Sequence, residues 1–159
     1  MTHEASNGKQ VAEGIHFRDV TGPDRNSRIK GVFLCDVLYM CDTGVKQDYV
    51  CKQGGREWGR ITPRGVLVRK GYAWNYCTAS PDWQKAASGV HDLLYQFAGC
   101  TWFPSSITRK KADSIFYQFS IGWSAKLFWL GLSAFSWACW GLRPTAGETV
   151  EILHVVDAT

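Results

Sequence analysis

The order of hydrophobic and polar positions divides the chain into parts of different periodicity. Residues 1–30 are polar, rich in Gly, Asn, Asp and Arg, and have no sustained period, which is typical of an arm outside the core. From Gly31 to Trp74, short β-branched or aromatic runs alternate with turn sequences such as Asp-Thr-Gly and Thr-Pro-Arg-Gly. This pattern predicts hairpin-linked strands in a small antiparallel sheet over residues 31–75.

Beyond this sheet the hydrophobic period lengthens to that of a helix. Ser80 is predicted as an N-cap, with Pro81 at the first helical position and the helix ending near Gly99. Apolar residues then share one helical face, with His91 and Tyr95 along one edge of it. The face consists of Ala86, Ala87, Val90, Leu93, Leu94 and Phe97.

Two further helices are predicted after this one. Thr108 is the expected N-cap of the second helix, which Gly122 ends and in which Asp113 lies at the margin of the apolar stripe. The third apolar segment has no charge from Leu127 to Leu142, and Gly131 and two serines interrupt it. It is shorter than the roughly 20 residues that cross a membrane, so a buried helix is favoured over membrane contact.

These elements predict an α+β fold. The small antiparallel sheet over residues 31–75 is followed by a three-helix half over residues 82–141, and the alternation in Gly-Glu-Thr-Val-Glu-Ile-Leu predicts a C-terminal strand. We expect one α+β domain at 31–159, preceded by the polar N-terminal arm at 1–30. Such an arm would dock on a neighbouring molecule.

Composition and charge exclude several classes of protein. The chain has 159 residues with 45% hydrophobic and 20% charged residues, which excludes a disordered or coiled-coil protein. The net charge of +4 is modest, and no nucleic-acid partner is predicted. One basic cluster is interpreted as a solvated strand face, with contact to a phosphate or an acidic partner as the alternative. It comprises Arg56, Arg60, Arg64, Arg69 and Lys70.

The cysteines and the N-terminal sequence indicate the cellular compartment in which the chain is made. The cysteines are scattered singly, without the spacing of a zinc site, and are expected to be free thiols in a reducing compartment. They are Cys35, Cys41, Cys51, Cys77, Cys100 and Cys139. The first ten residues lack the basic and apolar regions of a signal peptide, so we expect synthesis in a cytoplasm.

Candidate chemistry comes from edge residues of the first two predicted helices. Helices joined by a short link pack against each other, so His91 and Asp113 are expected to meet across the seam. A carboxylate on one imidazole nitrogen would leave the other nitrogen to take a proton from water. Asp92 points the other way and would be available to a cation or a loop. The equal alternative is a structural staple, with Arg109 bound to Asp92 or Asp113.

The helical motifs resemble a family of unknown function found in bacteriophages and prophages. That family carries a Gly-aromatic turn, a D-G-A-S-P-like loop, H-D-x-L-Y and R-x-x-A-D-x-x-F. The matching residues are Gly71-Tyr72, Asn75 through Pro81, His91-Asp92-Leu93-Leu94-Tyr95, and Arg109, Ala112-Asp113 and Phe116. Asn75 stands where an Asp is usual. The resemblance implies a virion protein, a tail or connector component made in the host cytoplasm, whose partners are other virion proteins or copies of itself.

The sequence His-Asp-x-x-Tyr with a later Asp is also similar to phospholipase A2, including the versions in parvovirus capsids. The likeness implies that His91 activates a water molecule and that Asp113 orients the His91 ring. It also implies that Tyr95 gives hydrogen-bond support to this pair and that Asp92 binds calcium. Phospholipases add calcium ligands from a glycine-rich loop, whereas residues 72–78 contain no glycine. The sequence thus leaves two functions open: a structural or accessory virion protein docked through its arm, or a lipid-ester hydrolase acting on membrane lipid. Whether the chain is an enzyme is not decided at this level.

Overall fold

The structure, a computed structural model, is mixed α+β, as predicted. It describes residues 1–14, 17–19, 31–74, 84–135, 140–141 and 147–153. Its strands are β1 (Thr2–Ala5), β2 (Phe17–Asp19), β3 (Gly31–Phe33), β4 (Asp36–Met40), β5 (Asp48–Gln53), β6 (Arg56–Thr62), β7 (Gly65–Val68), β8 (Ala73–Trp74) and β9 (Glu148–Leu153). Its helices are α1 (Gly8–Gly14), α2 (Lys85–Phe97), α3 (Arg109–Phe119) and α4 (Ala125–Phe135).

The described strands form two sheets. The larger sheet has six strands in the order β1-β4-β7-β6-β5-β9, and the smaller has three in the order β2-β3-β8. Two of the predicted hairpins are present, because β5 pairs with β6 and β6 pairs with β7 across Thr-Pro-Arg-Gly, both antiparallel. The hairpin predicted at Asp-Thr-Gly is wrong, because the strand before it, β4, pairs with β1 and β7 rather than with β5. The predicted C-terminal strand is confirmed as β9, which pairs antiparallel with β5.

Residues 1–14 are not an arm, and here the sequence-based expectation is wrong. β1 adds to the edge of the large sheet by pairing parallel with β4, and both Ala5 and Val11 are buried. Gly8 lies so close to α3 that an added Cβ would be 1.9 Å from the carbonyl oxygen of Phe119. A strand joins a sheet through backbone groups, which any polar sequence carries, so hydrophobic patterning gives little sign of it. Residues 20–30 of the predicted arm lie outside the described part.

The core lies between the sheets and the α2–α3 pair. All six residues of the stripe predicted for α2 are buried, and Thr108 caps α3 by accepting a hydrogen bond from the backbone N–H of Lys111, as predicted. Tyr39, fully buried, donates a 2.7 Å hydrogen bond to the carbonyl of Ala86 and so ties β4 to α2. Ser80 and Pro81, the predicted start of α2, lie outside the described residues.

Glycines set how closely α2 approaches both sheets. A Cβ on Gly59 of β6 would be 2.4 Å from Cδ2 of Leu93, and a Cβ on Gly89 of α2 would be 2.6 Å from Cζ of Phe33. At these two contacts there is room for the hydrogen atom of a glycine but not for a Cβ, so the two glycines allow α2 to pack this closely.

α4 differs from its prediction as a buried helix, because none of its described side chains is buried. Leu127 and Leu130 are exposed. Among the described helices, α3 is the one against which α4 packs extensively. The apolar composition of this segment predicts a buried helix, but composition does not determine how many other segments pack against a helix. No helix in the described part of the chain is long and apolar enough to cross a membrane.

The basic cluster is largely paired with acidic side chains on the strand surface, in accord with the predicted solvated strand face. Arg69 binds both Glu57, at 2.9 Å, and Asp36, at 2.8 Å. Arg60 binds the same Glu57 at 3.0 Å. These contacts neutralise much of the local positive charge.

Candidate functional site

The expected meeting of His91 and Asp113 is confirmed by the structure. Nε2 of His91 lies 3.0 Å from Oδ1 of Asp113, across the packed faces of α2 and α3. The side chain of His91 is 8% exposed and that of Asp113 only 2%. A polar pair so far removed from water interacts more strongly than the same pair on the surface.

Tyr95 completes the arrangement on α2. Its hydroxyl donates a 2.9 Å hydrogen bond to the same Oδ1 atom of Asp113, as expected for a supporting residue. Residues four apart lie on one helical face, so the Tyr95 ring also lies against the His91 ring, with centroids 4.1 Å apart and planes inclined by 32°. The two side chains on one helix thus converge on one oxygen of the next helix.

Arg109 holds the other oxygen of the carboxylate. Its Nη1 lies 3.4 Å from Oδ2 of Asp113, four residues later on α3, and donates a 2.9 Å hydrogen bond to the carbonyl of Ser133 on α4. Of the two partners considered from the sequence, Asp113 is therefore confirmed. The link to Ser133 was not predicted, because nothing in a sequence reveals which backbone carbonyl a distant helix presents.

Aromatic rings surround this hydrogen-bonded group. Phe116 of α3 lies edge-on to His91, with centroids 5.3 Å apart, and Trp140 lies edge-on to Tyr95 at 4.8 Å. Phe103 extends the wall on the far side of Trp140, at 6.0 Å. The rings keep the local dielectric low and restrict the rotamers of His91 and Tyr95.

Comparisons of the chain with models of protein families, with curated proteins and with solved structures gave no match. Function is therefore inferred from the geometry of the site.

The carboxylate of Asp113 fixes the protonation pattern of the imidazole. A carboxylate only accepts hydrogen bonds, so Nε2 of His91 carries the hydrogen and Nδ1 carries the lone pair in the neutral ring. Among the described residues no hydrogen bond to Nδ1 is present. Nδ1 is thus the atom that can take a proton from a water molecule.

Asp92 lies apart from this group, as its helical position predicted. Its side chain is half-buried on the side of α2 that faces Tyr72. Burial, with a further contribution from the nearby Asp92 charge, holds the pKa of Tyr72 well above its usual value. Asp92 is therefore not simply a solvated carboxylate.

The described residues offer no complete calcium site. Within them no group of three or more His, Cys, Asp or Glu side chains is placed to hold a metal ion. The loop matched to the phage family, Asn75 through Pro81, lies outside the described residues. The role of Asp92 as a metal ligand stays a prediction.

A second polar group, which the sequence did not indicate, lies beside Tyr72. The Tyr72 hydroxyl donates a 3.0 Å hydrogen bond to Oε1 of Gln96, whose Nε2 donates at 2.9 Å to Glu148 on β9. These residues tie α2 to both sheets. Gln96 lies beside the apolar stripe of α2. The sequence does not distinguish it from an ordinary surface glutamine, and only its contacts in the structure do so.

The described cysteines do not provide a nucleophile for the site. All four are free thiols, as predicted: Cys35, Cys41, Cys51 and Cys100. Burial raises the pKa of Cys41 to about 11 and also raises that of Cys51. A thiol with a raised pKa is mostly protonated near neutral pH and is a poor nucleophile.

Proposed function

We propose that the chain is a hydrolase of lipid esters in which His91 is the general base. The observation that supports this proposal is the shared use of Oδ1 of Asp113 by Nε2 of His91, at 3.0 Å, and by the hydroxyl of Tyr95, at 2.9 Å. Asp113, Tyr95 and Arg109 together fix the position of one imidazole, and the bond from Asp113 sets its tautomer.

The chemical step follows from this geometry. Nδ1 of His91 takes a proton from a water molecule, and the water oxygen forms a bond to the ester carbonyl carbon. The tetrahedral intermediate then breaks the bond to the alcohol oxygen, which leaves with the proton from Nδ1. Asp113 stabilises the imidazolium that exists between these two transfers. No free cysteine or covalent intermediate is needed.

Tyr95 and Arg109 are positioning residues in this proposal. Neither lies on the nitrogen that meets water, and both act through the carboxylate of Asp113. Their hydrogen bonds keep Asp113 from rotating away when the charge on His91 changes. Calcium would supply an electrophile for the carbonyl oxygen, but the described residues do not complete its ligand set, so no step is assigned to it.

The proposal is tested by comparing matched histidine substitutions. The purified chain is assayed with phosphatidylglycerol, with phosphatidylcholine and with a short soluble ester, with and without calcium. His91→Gln keeps a donor for Asp113 but removes the base, so we expect hydrolysis to fall to background while the melting temperature changes little. His3→Gln makes the same change on β1, where His3 contacts the carbonyl of Gln10, and should retain full activity.

Two results would overturn the proposal. One is a folded wild-type chain that hydrolyses none of these esters under any of the conditions. The other is a His91→Gln variant that hydrolyses them at the wild-type rate. Either would leave the buried pair with a structural role.

The alternative of a structural or accessory virion protein stays a prediction. It rests on the resemblance to the phage family, while the arm expected to dock the protein contributes a strand, Thr2–Ala5, to the large sheet. Mass spectrometry of gradient-purified particles from cells that carry the gene tests it directly. The absence of the chain from such particles would exclude this function, and its presence would be compatible with a hydrolase carried by a virion.

A further inference from the structure

A continuous group of apolar side chains is exposed where α3 ends and α4 begins. We call this group the α4 face. In a folded chain, large apolar side chains exposed next to one another mark an interaction surface more often than isolated ones do. The members and their exposed fractions are Tyr117 (47%), Ile121 (38%), Trp123 (83%), Leu127 (63%) and Leu130 (48%).

The helical geometry of α4 places Leu127 and Leu130 on the side away from α3, because Trp129, on the other side of the helix, packs against Tyr117 of α3 with ring centroids 5.8 Å apart. Leu127, Leu130 and Ala134 follow a spacing of three and four residues and are all exposed, so they form one outward stripe. α4 also contacts α3 through the backbone carbonyl of Ser133, which accepts a hydrogen bond from Arg109. An outward stripe in a water-exposed helix is ordinarily polar, and this one is apolar.

Charge limits what can cover the face. The sequence contains no Asp or Glu between Asp113 and Glu148, so the whole of α4 lies in a stretch without acidic side chains. Lys126 at the start of α4 and Lys110 on α3 are both exposed. An apolar surface with lysines beside it is complementary to an anionic surface.

The composition and length of α4 favour a lipid bilayer as that surface. Trp, Phe and Leu on a short helix with flanking Lys are the residues that settle at the boundary between head groups and acyl chains. α4 has 11 residues, too few to cross a bilayer, so it would lie in the plane of the interface.

We infer that the α4 face docks the protein on anionic lipid bilayers, with α4 lying in the membrane interface. The inference deepens the proposed function. Docking itself does not depend on that function, but the step in which a docked lipid becomes the substrate rests on it. Arg109 joins the backbone of α4 to Asp113, so the docking helix is directly connected to the group that holds His91.

The experiment is vesicle flotation with ether-linked lipids, which cannot be hydrolysed. The full chain is mixed with vesicles of diether phosphatidylglycerol or diether phosphatidylcholine at low and at physiological salt. We expect the wild type to float with phosphatidylglycerol, less at higher salt, and weakly with phosphatidylcholine. Leu127→Asp and Leu130→Asp should each lower the partition coefficient by about tenfold or more.

Leu34→Asp is the matched control. Leu34 lies between β3 and β4 and is 40% exposed, so the same substitution adds the same charge to an exposed leucine away from α4. It should float as the wild type does. Circular dichroism of all three variants confirms that each remains folded.

Three results would overturn the inference. The first is a wild type that fails to float on either lipid. The second is flotation that Leu127→Asp and Leu130→Asp leave unchanged. The third is a concentration-dependent dimer that these substitutions dissociate, together with no flotation, which would assign the face to a second copy of this chain. A wild type that floats with the vesicles but does not hydrolyse the soluble ester would instead count against the proposed function and leave the docking inference intact.

Discussion

His91 and Tyr95, one helical turn apart on α2, both make hydrogen bonds to Oδ1 of Asp113, and their ring centroids lie 4.1 Å apart. The two side chains are therefore held against the same carboxylate oxygen. An imidazole held on its face and through one nitrogen keeps one tautomer and one direction for the other nitrogen. The proposed chemistry depends on this arrangement, and five predictions test its parts, the packing beneath it and an ion pair elsewhere in the fold.

Removal of the Tyr95 hydroxyl should slow catalysis without unfolding the protein. Tyr95→Phe retains the ring contact with His91 and loses only the hydrogen bond to Asp113. We expect kcat to fall by about tenfold with KM unchanged, and the free energy of unfolding to fall by about 1 kcal/mol. Steady-state kinetics and chemical denaturation measure both, and Tyr49→Phe on β5, outside the site and the α4 face, is the control. A rate equal to that of the wild type would show that Tyr95 does not position the carboxylate.

Asp113→Asn should remove most of the activity by changing the hydrogen-bond pattern of His91. An amide can donate where the carboxylate only accepts, so the imidazole no longer has one preferred tautomer. For a His–Asp pair that activates a nucleophile, this change costs about 10³–10⁴ in kcat. The measurement is the ester assay beside a melting curve. Activity within a few fold of the wild type, in a folded variant, would remove Asp113 from the mechanism.

Arg109→Met should loosen α4 and lower stability. The substitution leaves the Asp113 carboxylate, 2% exposed, without its guanidinium partner and frees the carbonyl of Ser133. We expect a loss of about 2 kcal/mol in the free energy of unfolding. Lys110→Met removes an exposed charge from the next position of α3 and should change stability by less than about 0.5 kcal/mol. Equal effects of the two substitutions would contradict the bridging role of Arg109.

Two glycine substitutions should act in opposite directions. Ala at Gly89 gains helix propensity but forces a Cβ to 2.6 Å from the ring of Phe33, which is fully buried and cannot move aside, so a net loss of about 1–2 kcal/mol is expected. Ala at Gly131 of α4 meets nothing within 4 Å and should gain about 0.5–1 kcal/mol. Thermal and denaturant unfolding give both values. A stabilising Gly89→Ala would show that α2 does not press on β3 as described.

Asp36 should make stability depend on pH at the acidic end. Partial burial alone would raise its pKa, but hydrogen bonds from the backbone N–H of Lys70 and from Arg69 outweigh burial and hold the pKa below its usual value. A lowered carboxyl pKa adds stability that is fully present above the unfolded pKa and is lost as the pH falls through the folded pKa.

The corresponding measurement compares the wild type with Asp36→Asn over pH. The difference in the free energy of unfolding should be about 1–2 kcal/mol near neutral pH and should shrink as the pH falls below about 4. Asp42→Asn, at a carboxylate whose side chain is 85% exposed, serves as the control and should have a small effect throughout. A difference for Asp36→Asn that does not change with pH would contradict the assigned ion pair.

Much of the candidate site could be predicted from helical periodicity. The positions of His91 and Tyr95 at one edge of α2, and of Asp113 at the margin of α3, follow from 3.6 residues per turn and a short link between the helices. The Thr108 cap likewise follows from a local hydrogen bond. These features depend on residues close together in the chain, so their geometry is encoded locally.

The sequence by itself determined the α+β class, the strand and helix segments after residue 31, and the face of each helix that carries the site. The tertiary structure alone decided that β1 joins the large sheet, that α4 stays exposed and that Arg109 bridges Asp113 to Ser133. Backbone pairing of a polar strand leaves no mark on side-chain pattern, and exposure depends on which neighbours reach a surface. Contacts between distant segments are set by the whole packing arrangement, and periodicity along the chain does not contain them.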